Sequence, residues 1–310
     1  MRITVVGAAV MDMIMRVPRL PKPGESLLGV HAMYPGGKGA NQAVAAARLG
    51  AQVHFVGTVG QDEMGEGLLS GLIASGVDCR YVQRQDAPTG IAMIAVDDQG
   101  MNTILLSEGA NLLTSKTLID DVGQVIAHSD YLLVQGEIPV DVTRHAMNLA
   151  ASVGCPVLLN PAPVQSGLAD LIDGATTITP NETESEALTG ITISDENSIV
   201  QSLTTLASQG PSLVVITLGH RGVALLVDGA AYLVPAFPVP SIDTTGAGDS
   251  FSASLAVALA DGLTPIHAIL WSSAAAAISV QRPGAQPSFA YRDEVERLIL
   301  ADAPQPLKLL

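Results

Sequence analysis

Short runs of aliphatic and β-branched residues alternate with longer helical patterns along most of this chain. Each run ends in Gly, Pro or Asn, and several helical segments end in Gly, as helix C-termini often do. This alternation predicts a three-layer α/β fold, in which a mainly parallel sheet carries helices on both faces. The predicted strands are residues 3–8, 52–60, 130–137, 156–163, 175–181 and 212–219. The predicted helices are residues 40–50, 64–76, 141–154 and 198–210.

Two segments, residues 12–34 and 90–106, interrupt this alternation with extended patterns. Within the second, a turn at 97–100 separates two strand-like runs, so we predict a small antiparallel sheet beside the main one. Residues 223–235 read as a further hairpin turning at Asp228-Gly229. We expect the tail, 303–310, to be loosely held.

Composition narrows the range of functions. The 310 residues are 48% hydrophobic with only 3% aromatics, which suits one large α/β domain spanning 1–310 or two small ones, and favours helices packed on a sheet over a β-sandwich. The net charge of −15 argues against nucleic acid as a partner, because phosphate binding needs clustered Lys and Arg. No apolar stretch reaches the about 18 residues that a membrane helix needs, and no signal peptide is recognisable, so we expect a cytoplasmic protein. Cys79 and Cys155 are expected to be buried, reduced thiols.

The stretch 244-TTGAGDSF-251 combines a glycine-rich turn with an acid at the start of a predicted helix. Free N–H groups at a helix N-terminus attract anions, which suits a phosphoryl group in transfer. Asp249 would then accept the proton of a substrate hydroxyl as it attacks phosphorus. An acid that merely caps the helix explains the motif equally well. The chain has no G-x-x-x-x-G-K-[ST] and no G-x-G-x-x-G, which argues against a P-loop protein and against a dinucleotide-dependent oxidoreductase.

A second glycine-rich stretch, 35-PGGKGANQAVAAARLG-50, also runs into an Ala-rich helix. Gly36 and Gly37 would let the backbone approach a small polar ligand, and Asn41 offers both a donor and an acceptor. Lys38 fits either an exposed turn residue or a phosphate contact, and the exposed turn is favoured on the residues alone.

Two such motifs in this order are specific, and together they resemble the ribokinase-like (PfkB) family of carbohydrate kinases. The resemblance covers nearly the whole chain, and it looks closest to the ribokinase branch. Further matching strings are 108-EGAN-111, 159-LNPAP-163, 180-PNETE-184, 217-TLGHRG-222 and 282-RPGAQPS-288. The resemblance implies an α/β domain with a β-sheet lid that covers a sugar, and a homodimer formed through that lid.

The resemblance also implies roles for individual residues. Asp249 would be the catalytic base, and the amides of Gly246, Ala247 and Gly248 would form an anion hole. Sugar contacts would come from Asp12, Gly37, Lys38, Asn41 and Glu137. An unpaired Asp12 would be costly to bury in its apolar context, which favours function, whereas Glu137 also fits a solvated acid at a strand end.

For the nucleotide, ATP, the resemblance implies Asn181, Thr217, Gly219, Gly222, Gly248 and Ser273. Ser273 would contact adenine, at a position where several relatives carry Asn or His. Glu184 would hold Mg²⁺ through water, although 181-NETESEAL-188 also fits a helix N-cap. A K⁺ site would use the carboxylate of Asp243, the hydroxyl of Ser288 and the carbonyls of Thr245, Ser279, Arg282 and Gly284.

One position departs from the ribokinase pattern. Ribokinases typically carry a sugar-binding Asn two residues before the N-terminal acid, and here that position is Val10. The loss of this polar contact makes 2-deoxyribose or another sugar plausible beside ribose. Kinases for other hexoses, keto-sugar acids or nucleosides remain alternatives, although only Tyr34 and Tyr81 are available as an aromatic wall for a nucleoside. An inactive sugar- or nucleotide-binding regulator is the alternative of another class.

Overall fold

The computed structural model describes residues 1–309. Fourteen strands lie within them: β1 (Arg2–Val6), β2 (Val10–Arg16), β3 (Val30–Gly36), β4 (Gln52–Gly60), β5 (Asp78–Gln85), β6 (Gly90–Val96), β7 (Asn102–Ser107), β8 (Tyr131–Val134), β9 (Val157–Leu159), β10 (Thr177–Ile178), β11 (Leu213–Thr217), β12 (Val223–Val227), β13 (Ala230–Val234) and β14 (Leu307–Lys308). Ten α-helices lie in the same span: α1 (Lys38–Arg48), α2 (Glu63–Ala74), α3 (Lys116–Asp121), α4 (Gly123–Ala127), α5 (Val140–Val153), α6 (Glu182–Thr189), α7 (Glu196–Ala207), α8 (Ala247–Ala260), α9 (Pro265–Ser279) and α10 (Arg292–Asp302).

Ten strands form the central sheet, in the order β14-β13-β12-β11-β10-β9-β8-β1-β4-β5. Seven neighbouring strands of this sheet are mutually parallel: β5, β4, β1, β8, β9, β10 and β11. Strands β12, β13 and β14 extend it at one edge with antiparallel pairing. The predicted α/β class with a mainly parallel sheet is therefore confirmed.

Helices cover both faces of this sheet. Successive side chains of a strand point to opposite faces, so apolar side chains on each face pack against helices. Ile3 and Val5 of β1 join one apolar core with α1, α2, α8, α9 and α10. Val6 joins the other core with α3, α4, α5 and α7. Both faces of the strands are thus buried, as in other parallel sheets.

A separate four-stranded sheet has the order β3-β2-β6-β7. It takes its strands from the two segments with extended patterns, and β6 and β7 form the predicted hairpin, with the N–H of Gly100 bonded to the carbonyl of Asp97 at 3.0 Å. The expectation of a purely antiparallel sheet is wrong, because β2 pairs parallel to β6. Both strands leave the central sheet in the same direction, one directly after β1 and the other after β5.

Three further details follow from long-range pairing. The hairpin at 223–235 is confirmed as β12 and β13. The tail is more ordered than expected, since Leu307 and Lys308 pair with β13. Strand β5, at the other edge of the sheet, has an irregular pattern that the sequence did not single out.

Cys155 is buried and Cys79 half-buried, and both are free thiols. Within residues 1–309, no helix has the length and apolarity to cross a bilayer.

Candidate active site

A cavity of about 220 Å³ opens at the carboxyl ends of the parallel strands, where ligands bind in sheets of this kind. It lies between the start of α1, the loops after β9, β10 and β11, and the turn before α8. The lining residues are Lys38, Asn160, Ala162, Thr179, Asn181, Glu184, Thr217, Thr244, Gly246, Ala247, Gly248, Asp249 and Ser252.

The glycine-rich turn before α8 forms one wall of this cavity. Gly246 has φ 76°, and a Cβ there would lie 2.9 Å from the Cβ of Ala285, so the position requires glycine. The N–H of Ala247 donates to the carbonyl of Thr244 at 3.1 Å and closes the turn. In this conformation the amide of Ala247 is therefore engaged, and it would have to be released to serve the predicted anion hole. Gly246 and Gly248 line the same wall.

Asp249 projects into the cavity from the first turn of α8 and is only 6% exposed. Its Oδ2 accepts a hydrogen bond from Asn41 Nδ2 at 2.9 Å, and its Oδ1 accepts one from Gln42 Nε2 at 3.2 Å. Burial raises the pKa of Asp249, while Lys38 and the two amide donors lower it. Burial is the largest of these effects, so the pKa is raised overall. Hydrogen-bonded only to N–H donors, the carboxylate is suited to accept a proton when it is ionised.

Lys38 is not the exposed turn residue that the sequence favoured. It begins α1, is half-buried and lines the cavity. Burial lowers the pKa of Lys38, but the carboxylates of Asp249, Glu137, Glu184 and Asp12 outweigh burial and raise it overall. The ammonium group therefore stays charged beside the predicted phosphate site, which is the alternative that the sequence left open.

The predicted sugar acids lie on the side of the small sheet. Asp12 lies in β2, and burial, together with the charge of Asp249, raises the pKa of its carboxyl to about 6. Glu137 follows β8 and accepts the backbone N–H of Lys38 at 2.7 Å, and burial raises its pKa to about 7. Gly37 has φ 86°, and a Cβ there would lie 2.7 Å from the backbone nitrogen of Val10, so it holds the two loops in close contact.

Asn181 and Glu184 lie at the start of α6, and the reading of this stretch as a helix N-cap is confirmed. They form a capping box, in which Asn181 Oδ1 accepts the N–H of Glu184 at 2.8 Å and Glu184 Oε2 accepts the N–H of Asn181 at 2.9 Å. Both also line the cavity, and burial raises the pKa of Glu184. A carboxylate beside a phosphate-sized cavity fits the oxygen donors that Mg²⁺ prefers.

The predicted nucleotide residues are spread along this edge of the sheet. Thr217 lines the cavity and pairs with Asn181 in an isolated parallel bridge. Gly219 and Gly222 flank the short turn between β11 and β12, with φ 56° and 104°. Ser273 lies in α9 outside the cavity lining, and its buried Oγ has no hydrogen-bond partner within residues 1–309.

The predicted cation ligands are brought together only in part. Asp243 Oδ1 accepts the N–H of Thr245 at 2.9 Å, and Asp243 Oδ2 accepts the N–H of Gly284 at 2.8 Å, which joins two of the loops. The N–H of Arg282 donates to the carbonyl of Ser279 at 3.2 Å, and the hydroxyl of Ser288 donates to the carbonyl of Ala285 at 2.7 Å. The donor set is oxygen-only, as K⁺ requires, although several of these oxygens already accept internal hydrogen bonds.

Sequence reasoning assigned no role to three buried amides behind the site: Gln42, Gln135 and Asn160. Gln42 lies next to Asn41 in the glycine-rich stretch 35–50. Asn160 follows β9, and Gln135 follows β8. For Asn160 and Gln135 the position at a strand end was the only available signal, and Gln42, inside α1, offered none. The contacts between them join residues 93 to 118 positions apart.

Comparison with known proteins places this chain in a family. The model of the pfkB family of carbohydrate kinases matches residues 1–290. The chain belongs to this family. Ribokinase of Haemophilus influenzae is 40% identical over 294 residues, with 94% of this chain and 96% of the relative covered. Ribokinase of Bacillus subtilis is 39% identical over 300 residues, with 96% and 99% covered.

Solved structures of pfkB-type kinases share the fold. Arabidopsis thaliana ribokinase complexed with ribose and ATP aligns with a TM-score of 0.89 at 32% identity, covering 96% of this chain and 98% of the other. Thermotoga maritima ribokinase aligns with a TM-score of 0.88 at 36% identity, covering 96% and 99%. Family membership makes the chain a phosphotransferase with a hydroxyl acceptor, as the sequence predicted.

Proposed function

We propose that this chain is an ATP-dependent sugar kinase that transfers the γ-phosphoryl group of ATP to a hydroxyl of a small pentose, with ribose the first candidate. The observation that carries the proposal is the buried carboxylate of Asp249, held by two amides at the floor of a cavity walled by the glycine-rich turn and Lys38. The likeness to several ribokinases, one of them complexed with ribose and ATP, supports the choice of sugar.

In this proposal Asp249 takes the proton of the sugar hydroxyl. The hydroxyl oxygen forms a bond to the γ-phosphorus, the bond to the β-phosphate oxygen breaks, and the electron pair leaves with ADP. Lys38 and the turn at Gly246 and Gly248 offset the negative charge on the phosphoryl oxygens. Mg²⁺, when bound through water near Glu184, would neutralise phosphate charge, and K⁺ near Asp243 would order the loop before α8.

The remaining roles are part of the same proposal. Asp12, Gly37, Asn41 and Glu137 bind the sugar hydroxyls from the side of the small sheet. The nucleotide side is formed by Thr217, Gly219, Gly222, Asn181 and Ser273. The hydroxyl of Ser273 has no hydrogen-bond partner within residues 1–309 and would be available to a ligand. The small sheet acts as a lid that excludes water, which would otherwise accept the phosphoryl group. The protein acts in the cytoplasm as a homodimer.

A second candidate substrate, 2-deoxyribose, is favoured by Val10. Its side chain is 4% exposed and shares one face of β2 with Asp12, so an apolar surface stands on the sugar side. A hydroxyl facing Val10 would lose its hydrogen bonds with water without replacement, and a sugar without that hydroxyl would lose nothing.

The test measures ATP turnover with Mg²⁺ and K⁺ against ribose, 2-deoxyribose, fructose, keto-deoxy sugar acids and nucleosides, for the wild type and for Asp249→Asn. Asn keeps the shape of the side chain but cannot accept the proton, so kcat with the best sugar should fall about 10²–10⁴-fold. A large preference for ribose over 2-deoxyribose would exclude the Val10 hypothesis. Sugar binding that stabilises the protein without any turnover would favour the inactive regulator.

A further inference from the structure

The two carboxylate oxygens of Asp249 are each held by a chain of two side-chain amides. On one side, Gln135 Nε2 donates to Gln42 Oε1 at 2.7 Å, and Gln42 Nε2 donates to Asp249 Oδ1 at 3.2 Å. On the other side, Gln286 Nε2 donates to Asn41 Oδ1 at 3.2 Å, and Asn41 Nδ2 donates to Asp249 Oδ2 at 2.9 Å. All five side chains are buried.

The chemistry of the amide group gives both chains a direction. An ionised carboxylate only accepts hydrogen bonds, so the inner amides, Asn41 and Gln42, must point nitrogen at Asp249. Their oxygens then point away and need donors, which Gln286 and Gln135 supply. If an inner amide flipped, it would place an oxygen against the carboxylate and a nitrogen against another amide nitrogen.

Gln42 is tied down further by its second N–H. Nε2 also donates to Asn160 Oδ1 at 3.1 Å, and Asn160 Nδ2 donates to the carbonyl of Thr179 at 3.1 Å, at the end of β10. The side chain of Gln42 therefore uses both N–H groups and its carbonyl, and it has one orientation in which all of them are satisfied.

Gln135 bears the cost of this arrangement. Its Oε1 is buried and has no hydrogen-bond partner among residues 1–309. Buried acceptors are normally paired, because an unpaired one loses its hydrogen bonds with water. If the Gln135 amide were flipped, its oxygen would face Gln42 Oε1, and that oxygen would lose its donor. The orientation of Gln135 therefore satisfies Gln42 and leaves its own oxygen unpaired.

We propose that Gln42, Gln135 and Gln286 are positioning residues, which act through two converging amide chains to fix the orientation of the Asp249 carboxylate. This inference rests on the proposed role of Asp249 as the base. The chains also favour the ionised form, because a proton on either carboxylate oxygen would face an N–H donor. The other charged groups around Asp249 are Lys38 of α1, Asp12 of β2, Glu137 after β8 and Glu184 of α6.

The test compares Gln42→Met and Gln135→Met with the wild type, measuring kcat, both KM values and the pH dependence of kcat. Met has nearly the shape of Gln but cannot donate. In Gln42→Met, kcat should fall about 10–100-fold through misorientation of the base, with the KM for ATP unchanged. The pH at which kcat is half-maximal should rise by about one unit, because burial still raises the pKa of Asp249 and one amide donor has gone.

Gln135→Met leaves both oxygens of Asp249 hydrogen-bonded and should show a smaller change of kcat and pH midpoint in the same directions. The control is Thr4→Val. Thr4 lies in the middle of β1, and the substitution removes its partly buried hydrogen bond with Ser129 Oγ, which is 2.7 Å long. It should lower the melting temperature and leave the pH dependence of kcat unchanged.

If Gln42→Met fails to fold, Gln135→Met decides. Folded variants with a wild-type kcat and pH midpoint would overturn the inference while leaving the kinase proposal intact. The inference would also be overturned if the glutamine variants lost kcat only in proportion to their fall in melting temperature, with the pH midpoint unchanged as in Thr4→Val. A wild type with no sugar-dependent turnover would overturn the proposed function, and this inference with it.

Discussion

Gly248 occupies a position where the fold tolerates a side chain and the proposed chemistry does not. It lies in the first turn of α8 and lines the cavity, and a Cβ built there would meet no atom within 4 Å. Protein packing therefore does not explain the glycine. The space above it is where the proposal places the phosphoryl group.

Gly248→Ala should fold at least as well as the wild type, because Ala in a helix is favoured by about 0.5–1 kcal/mol over Gly. Its methyl group should displace the phosphoryl group and lower kcat about 10²-fold. Gly67→Ala is the matched control, since Gly67 is an exposed helical glycine of α2 whose nearest neighbour would be 3.9 Å away. Thermal melts and turnover of both variants check this, and a fully active Gly248→Ala would contradict the proposed site of transfer.

Glu137, a proposed sugar ligand, carries a cost in stability. Burial raises its pKa from 4.5 to about 7 in the folded protein. A carboxyl whose pKa is raised on folding stabilises the protein below its unfolded pKa and loses that contribution as pH rises through the folded value. Without a bound sugar, the ionised carboxylate should therefore destabilise the protein at pH 8.

Glu137→Gln removes the charge and keeps the oxygen that accepts the backbone N–H of Lys38. The free energy of unfolding of the ligand-free variant should exceed that of the wild type by about 1–3 kcal/mol at pH 8, and the difference should nearly vanish at pH 4.5. Denaturant titrations at the two pH values measure it, with Glu296→Gln, an exposed acid of α10, as the control. An equal difference at both pH values would show that the charge is not responsible.

At the scale of elements, the start of α8 explains how one motif would serve as both anion site and base in the proposed mechanism. The helix begins immediately after the left-handed Gly246, so its free N–H groups and its first-turn acid face the same cavity. In the proposed mechanism the positive charge of Lys38, which lowers the pKa of Asp249, and the two amide donors that α1 brings to Asp249 offset the repulsion between the carboxylate and an anion. Neither α1 nor α8 forms the site alone.

Elements with a strong local pattern were predictable from the sequence, and elements defined by long-range pairing were not. The strands around residues 3–8, 52–60 and 212–219 are apolar runs bounded by turn residues, and each forms where it was predicted. Strand β14 has two residues and exists only because β13 offers it an edge. The parallel pairing of β2 with β6 likewise depends on where both strands leave the central sheet, which no local pattern encodes.

The site divides in the same way. The glycine-rich motifs identified Asp249 and Asn41 as candidates, and the family resemblance added Asn181. The fold brings all three to one edge of the sheet. The environment of Lys38 and the amide chain through Gln135 could not be predicted, because they depend on contacts between segments about a hundred residues apart. A buried Gln within a helix gives no sign in the sequence of what its amide binds.

At the scale of the whole molecule, the small sheet carries a group of exposed apolar side chains. Large apolar side chains at least one-third exposed include Met15, Val30, Met33, Tyr34, Met93, Ile104, Leu105 and Leu106, all on its four strands. Patches of this kind mark interaction surfaces. A second copy of the chain, pairing lid to lid, is the proposed partner.

The two faces of the small sheet can be distinguished by adjacent residues, because Ile104 and Leu105 point to opposite sides of β7. Ile104 is aligned with Ile94 and, through it, with Ile14, on the face that also carries Asp12. Leu105 is aligned with Met93 and Met13 on the other face. A partner that covers the face of Asp12 would also exclude water from the sugar, so we expect the dimer to use that face.

Ile104→Asp should therefore convert the proposed dimer to a monomer. It should also raise the KM for the sugar about tenfold, because the partner would no longer cover the face of the lid that lies toward the sugar. Leu105→Asp, an equally exposed position on the opposite face, should remain dimeric with an unchanged KM. Sedimentation velocity and sugar titrations of both variants measure this. A monomeric wild type would contradict the dimer, and dissociation by Leu105→Asp alone would move the interface to the other face of the lid.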